Sequence, residues 1–289
     1  MTLKPIDHPD RLPSFIEIET SNKCNRYCDW CPTGSDTMRR YQELMKWSLL
    51  ARILTQLGEL SYNGWIALHN YNEPLLNTRL LDEVSLVNSL VPEARPSIFT
   101  NGDMLDDRRL AALVKAGVVH VRVTRYPRQK KPDGKRDPAL ALKEWLSRRG
   151  LWDKYSWEIR AAPQGLLAEF RSDSVLLQVF RPSIATYNYR GGTIPDLASA
   201  GRRTPCQLTT TSSAIDRLGQ MKMCCNVYPG AQGHDEYLIG SLLEHTFSEL
   251  WFSQRMKDLR IRHRGADWSI SSICSGCSHR EITQTHDDD

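Results

Sequence analysis

The sequence predicts an α/β protein: parallel strands alternating with helices in a sheet or barrel, followed by a small C-terminal unit of a β-hairpin and a helix. Three observations lead there. Short β-like runs recur with amphipathic stretches between them, the signature of βα units. The runs feed into polar loops, where such folds keep their chemistry. Composition then changes over Arg190–Pro205, a stretch rich in Gly, Pro and Ser that reads as a linker.

The strand-like runs are Phe15–Ile18, Trp65–His69, Ser97–Thr100, Val118–Val123, Trp157–Ala161 and Val175–Phe180. Helical periodicity marks Leu44–Leu60, Leu76–Leu90 and Asp106–Ala116. The segments ETSNKC, HNYNEP, TNGD and TRYP fall at the carboxyl ends of the first four strands. Beyond the linker, Leu208–Ile215 and Gln220–Met223 flank Asp216–Gly219, a hairpin turn by composition. Thr246–Ile261 reads as one amphipathic helix with Phe247, Leu250, Trp251, Met256 and Leu259 on its apolar side. The expected boundary puts a core at 1–195 and an appended unit at 196–289.

The chain has 289 residues, 40% hydrophobic and 25% charged, as in an ordinary soluble globular protein. No apolar run is long enough to span a bilayer, and the N-terminus lacks the apolar core of a secretory signal. A cytoplasmic location is the expectation. The net charge of +4 is scattered in short pairs, Arg39-Arg40, Lys130-Lys131 and Arg202-Arg203, which read as solvated loops and not as a nucleic-acid stripe. Eight cysteines in such a chain point to metal or redox chemistry in place of a disulfide framework.

Three of them form Cys24-x3-Cys28-x2-Cys31. Three thiolates on one loop can take three irons of a 4Fe–4S cube and leave the fourth open to a small chelating molecule. A zinc loop with a distant fourth ligand is the alternative on spacing alone.

The motif, directly after the first strand and with Trp30 before its third cysteine, closely resembles the radical SAM superfamily. The resemblance implies a partial (β/α)6-type barrel that binds S-adenosylmethionine (SAM), with Trp30 beside the adenine. Asn72-Glu73-Pro74 is similar to the family's Gly-Gly-Glu segment at the methionine amine, although Asn72 stands where a glycine is usual. Thr100-Asn101-Gly102 is similar to its Thr-Asn-Gly loop, and Thr124 falls where a ribose or carboxylate contact is common. Each of these residue types also favours caps and turns.

Cys206, Gly219, Cys224, Cys274 and Cys277 resemble the twitch domain, a shortened SPASM domain. That likeness implies an auxiliary 4Fe–4S cluster closed by Cys206, Cys224, Cys274 and Cys277. A four-cysteine zinc site has the same ligand count and stays open as an alternative.

Within the superfamily the chain resembles dehydrogenases and epimerases that act on sugars and aminocyclitols in antibiotic biosynthesis. On that resemblance Arg190, in Asn188-Tyr189-Arg190-Gly191-Gly192, contacts a substrate hydroxyl and Tyr71 lies at the active-site loop. The spare Cys225 departs from the dehydrogenase pattern and suggests a hydrogen-atom donor. The main expectation is therefore an epimerase with Cys225 as donor; the alternative is a dehydrogenase whose auxiliary cluster takes an electron. Free cysteines are also common space-fillers. Glu17 and Glu19 share one face of the first strand, ready for hydroxyl or ammonium groups if that face is interior. An edge-exposed acid pair is the equal alternative. His69 and Glu158 are lesser candidates. A flavodoxin-type reductant completes the expected partners. A plain iron–sulfur electron carrier is the non-enzymatic reading; it has no use for the Asn72-Glu73 and Thr100-Asn101-Gly102 loops.

Overall fold

The computed structural model describes residues 11–34, 43–126, 137–162, 165–183, 190–194, 201–269 and 272–277. The first half alternates strand and helix: β1 Phe15–Ile18, α1 Trp47–Glu59, β2 Trp65–Ala67, α2 Leu80–Leu90, β3 Arg95–Thr100, α3 Asp107–Lys115 and β4 His120–Thr124. A longer crossover follows, with α4 Pro138–Ser147 and an antiparallel hairpin, β5 Glu158–Ala162 and β6 Gly165–Arg171, leading into β7 Leu176–Pro182. The C-terminal part holds α5 Leu208–Thr211, β8 Ser212–Ile215, β9 Gln220–Lys222, β10 Leu238–Ser241, α6 Phe247–Trp251, α7 Gln254–Arg264 and α8 Ser272–Ser275.

Among the described residues ten strands join one sheet in the order β10-β9-β8-β1-β2-β3-β4-β7-β6-β5. The run from β8 through β7 is parallel and both flanks are antiparallel, so the barrel is unclosed. Five parallel strands come from the first part of the chain. A sixth, β8, comes from the C-terminal part and pairs with β1 along Phe15–Ile18. The expected boundary between 195 and 196 lies outside the described residues, as do Asn188, Tyr189, both Arg39-Arg40 and Lys130-Lys131, and the acidic tail.

Alternation divides the two faces of each strand. In β1, Ile16 and Ile18 are fully buried in the layer beneath the helices, while Glu17, and Glu19 just past the strand, alternate to the opposite face. Helix α1 supplies Leu50, Ile53, Leu54 and Leu57 to that layer, all at 0% exposure. Ile53→Ala is expected to cost about 2–5 kcal/mol, because the cavity adds to the lost transfer energy. A lowered urea midpoint at unchanged slope checks it.

Several sequence expectations change, and α4 and β6 are elements the sequence reading does not mark. Strand β6 had no assignment, since Gly-Leu-Leu-Ala-Glu-Phe-Arg alternates poorly; pairing with β5 and β7 supplies what its pattern lacks. Leu208–Ile215 is half helix and half strand, α5 followed by β8. The single helix over Thr246–Ile261 is two, α6 and α7. Thr246 opens α6 with a reciprocal capping box, and Ser253 caps α7 by accepting from the Met256 N–H, so the chain restarts at Ser253. The expected turn at Asp216–Gly219 is present. The Asp216 carboxylate accepts from the backbone N–H of Leu218 (2.9 Å) and of Gln220 (2.8 Å).

Candidate active site between two cysteine sets

The first cysteine loop follows β1 and closes on itself. The Cys31 N–H donates to the Cys28 carbonyl (3.1 Å), and the Gly34 N–H to that of Cys31 (2.8 Å). A Cβ on Gly34 would sit 2.3 Å from the Cys28 oxygen, so only glycine permits the closure. Burial, then the Cys31 and Cys24 thiols, push the Cys28 thiol up to about 12, with Arg26 opposing. A thiol whose charge is destabilised by two neighbouring thiols is the arrangement a cationic iron centre would stabilise. The coupling is that of neighbours: among the described residues no three Cys, His, Asp or Glu side chains form a single-ion site.

Arg26, inside the motif, ties this loop to the ends of β3 and β4. It donates to Asp103 (2.6 and 2.7 Å) and to the carbonyls of Asn101 and Tyr126 (3.3 Å each). Asn101 donates to Asn25 (2.8 Å) and lies 3.9 Å from the Cys24 sulfur. Trp30 is buried, its ring 6.0 Å from that of Tyr126.

The loops after β2 and β3 lock together through Glu73. Its carboxylate accepts from Thr100 Oγ1 (2.6 Å), the Asn101 N–H (2.7 Å) and the Leu75 N–H (3.1 Å). Burial raises its pKa, and these bonds only partly offset that. Asn72 accepts from the Asn70 N–H and donates to Ser21 (3.1 Å). Gly102, at φ +74°, packs where a Cβ would meet Val123 at 2.5 Å and Trp145 at 2.8 Å. Thr124 ends β4, half-buried, opposite Phe180. The structure thus brings Trp30, Asn72, Glu73, Thr100, Asn101 and Thr124 to the strand ends around the first cysteine loop.

The second set gathers in the C-terminal part. Burial, then Cys225, Cys274 and Cys206, push the Cys224 thiol well above its ordinary value. Burial also raises Cys225, with Glu17 adding to it and Arg190 and Lys222 opposing; Cys277 is a further neighbour. All five cysteines therefore belong to one neighbourhood, next to the polar face of β1.

Tyr71 and Arg190 have thiols of both sets as electrostatic neighbours. Burial works against the charge of Arg190, but Tyr71, Tyr126, Cys31 and Cys225 outweigh it and hold its pKa up. Burial raises Tyr71, whose electrostatic neighbours are Arg190, Cys225, Cys31 and Cys224. Arg190 has φ +54°, a costly conformation for a side-chain-bearing residue. It is held by its bond to Asn226 (3.2 Å) and by His234 on the Gly191 carbonyl (2.9 Å).

Glu17 and Glu19 are each 8% exposed, so the edge-exposed alternative is ruled out. Glu17 Oε1 lies 3.0 Å from His69 Nε2, and its other oxygen accepts from Asn70 (3.2 Å). Burial opposes ionisation of Glu17, but His69, Lys222 and Arg190 prevail and lower its pKa. Glu19 accepts from the Tyr71 N–H (3.1 Å), and burial raises its pKa against Lys222. Glu158 is exposed on the edge strand β5, away from this group.

Sequence reasoning missed Lys222, Arg26, Asp103 and Tyr126. Lys222 is 1% exposed, donates to Asn70 Oδ1 (2.6 Å) and lies 5.1 Å from the Tyr71 ring centre. Its position two residues before Cys224 was the available signal.

Residues 18–124 match the radical SAM superfamily, and residues 206–278 match SPASM, an iron–sulfur cluster-binding domain. The S-adenosyl-L-methionine-dependent 2-deoxy-scyllo-inosamine dehydrogenase of Niallia circulans is 27% identical over 278 residues, 94% of this chain and 96% of its own. The crystal structure of BtrN in complex with AdoMet and 2-DOIA superposes with a TM-score of 0.69 at 23% identity, covering 93% of this chain and 94% of that one. Native anSMEcpe with bound AdoMet and Cp18Cys peptide superposes with a TM-score of 0.51 at 12% identity, covering 91% and 88%. The structural likenesses are of fold.

These findings correct one expectation. An epimerase with Cys225 as hydrogen donor rested on a single extra thiol, whereas the relative that spans nearly the whole chain is a dehydrogenase. Cys225 is half-buried and lies next to the buried Cys224. Among the described residues no helix is long and apolar enough to cross a membrane.

Proposed function

From a chain that carries a radical SAM domain followed by a SPASM iron–sulfur domain, we propose a dehydrogenase that oxidises a secondary alcohol of an aminocyclitol or sugar to a ketone. The observation that carries this reading is the position of Tyr71 and Arg190, which have thiols of both cysteine sets as neighbours. A substrate seated there is within reach of both centres, as an oxidation that removes a hydrogen atom and then an electron requires. The dehydrogenase relative supports the same reaction class.

Cys24, Cys28 and Cys31 are assigned to the first cluster, and Cys206, Cys224, Cys274 and Cys277 to the auxiliary one. Trp30, Asn72, Glu73, Thr100, Asn101 and Thr124 are assigned to the SAM site. When bound, SAM and the clusters supply hydrogen-atom abstraction and a one-electron sink. This chain's own residues do the rest. Arg190 and Tyr71 orient the reacting oxygen. Glu17, kept ionised by its cationic neighbours, receives the hydroxyl proton, and His69 holds the carboxylate in place. Glu19 fixes the Tyr71 backbone, and Lys222 balances both acids. The buried polar face matches a hydroxyl-rich substrate, whose groups need paired partners once out of water. The assigned setting is a reducing cytoplasm with a flavodoxin-type electron donor.

Mass analysis of reactions with a panel of inosamines and amino sugars tests the reading. The expected product is lighter by two hydrogens, traps with a carbonyl reagent, and forms with one 5′-deoxyadenosine per ketone. A product of unchanged mass would overturn it.

A further inference from the structure

Cys274 has a neighbour that the proposed reaction does not use. His263, near the end of α7, places Nε2 3.8 Å from the Cys274 sulfur. Its backbone carbonyl accepts from the Cys206 N–H (3.0 Å). One residue thus touches two of the four cysteines assigned to the auxiliary cluster. The side chain is 3% exposed and packs on Trp268, ring centres 5.0 Å apart. The nearby Arg202 N–H donates to the Ser275 carbonyl (2.6 Å), which pins the segment before Cys206 to the segment holding Cys274.

We propose that His263 is a positioning residue that sets the redox potential of the auxiliary cluster by donating an Nε2–H hydrogen bond to the Cys274 sulfur. This rests on Cys274 being a ligand of that cluster. A metal-bound cysteine carries no proton, so the imidazole must be the donor in the pair. Nδ1 is buried without a hydrogen-bond partner among the described residues, which suits the tautomer with its proton on Nε2. Reduction adds negative charge to the cluster and its sulfurs, and an N–H aimed at one of them stabilises the reduced form. Hydrogen bonds to ligand sulfurs are a recognised control on iron–sulfur potentials.

His263 also lines a surface cleft with Tyr237, Arg255, Leu259 and Arg262. Truncation to alanine would let water into the cleft, and solvent exposure changes the potential by itself. Phenylalanine fills the space without the donor, and glutamine restores an N–H. The test uses the anaerobically reconstituted full-length chain, with iron and sulfide counts and an EPR-monitored potentiometric titration. His263→Phe is expected to keep the wild-type iron content, lower the auxiliary potential and leave the first cluster's potential unchanged. His263→Gln is expected to recover part of the shift. An unchanged auxiliary potential in His263→Phe overturns the proposal. So does loss of the auxiliary cluster in both variants, which would make the role structural. If the wild type itself holds only one cluster's worth of iron, the ligand assignment fails instead.

Discussion

Cys28→Ala is expected to abolish SAM cleavage and to remove about half of the bound iron, while the fold persists. Cys28 is half-buried in a loop and lies outside the apolar core. Its removal therefore creates no cavity beneath the sheet. What it removes is the middle thiol of the first cysteine loop, whose closure depends on backbone bonds and on Gly34. A cluster with two cysteines left has lost a ligand that nothing adjacent can replace, since Arg26 is a cation and Asp29 is the wrong hardness for iron–sulfur ligation. Enzymes commonly accelerate reactions by about a millionfold or more. Here that acceleration depends on the cofactor, so 5′-deoxyadenosine formation should fall to background. Iron and sulfide counts, circular dichroism and product chromatography check the three parts. Full iron content with retained cleavage would sink the assignment.

Glu17→Gln is expected to lower ketone formation by about 10²–10⁴-fold, the usual worth of a positioned general base. The change keeps the shape and the capacity to accept from Asn70, and removes the proton acceptor. 5′-Deoxyadenosine should still form, so the two products become uncoupled in the variant. Burial alone would raise this carboxyl, but His69, Lys222 and Arg190 lower it instead. A lowered folded-state value means that Glu17 adds stability above its unfolded value, lost as pH falls through the folded one. Over about pH 6–8 the carboxylate stays ionised, and no titration of Glu17 should appear in the rate. A glutamine variant that makes ketone at the wild-type rate would remove Glu17 from its role.

Much of the site was legible because the chemistry is local in sequence. Cys24, Cys28 and Cys31 occupy one loop, and the segments around Glu73 and Asn101 follow successive strands. What escaped is non-local. Lys222 belongs to β9, and it meets Asn70 and the two β1 acids only because β8 and β9 extend the sheet beside β1. The pairing of Glu17 with His69 likewise needs β1 and β2 in register. Arg26 reads in sequence as an interchangeable residue inside the motif, although it bridges three loops through Asp103, Asn101 and Tyr126. The reaction type is illegible for a related reason. An extra thiol at Cys225 is visible in the sequence, but the reaction follows from the whole site and not from one group. In the fold, β6 and the break before α7 escaped because pairing partners and caps overrode weak periodicity.

The ladder between β1 and β8 also ties the first cysteine loop to part of the second set. Phe15 to Ile18 lie opposite Ser212 to Ile215, and the Glu19 N–H continues the ladder to the Ile215 carbonyl at 2.8 Å. One cysteine loop leaves the end of β1; Cys224 of the other set follows β9, the partner of β8. The spacing of the first cysteine loop and Cys224 is therefore tied to one strand register. Slippage of β8 by one residue would invert its faces and change that spacing.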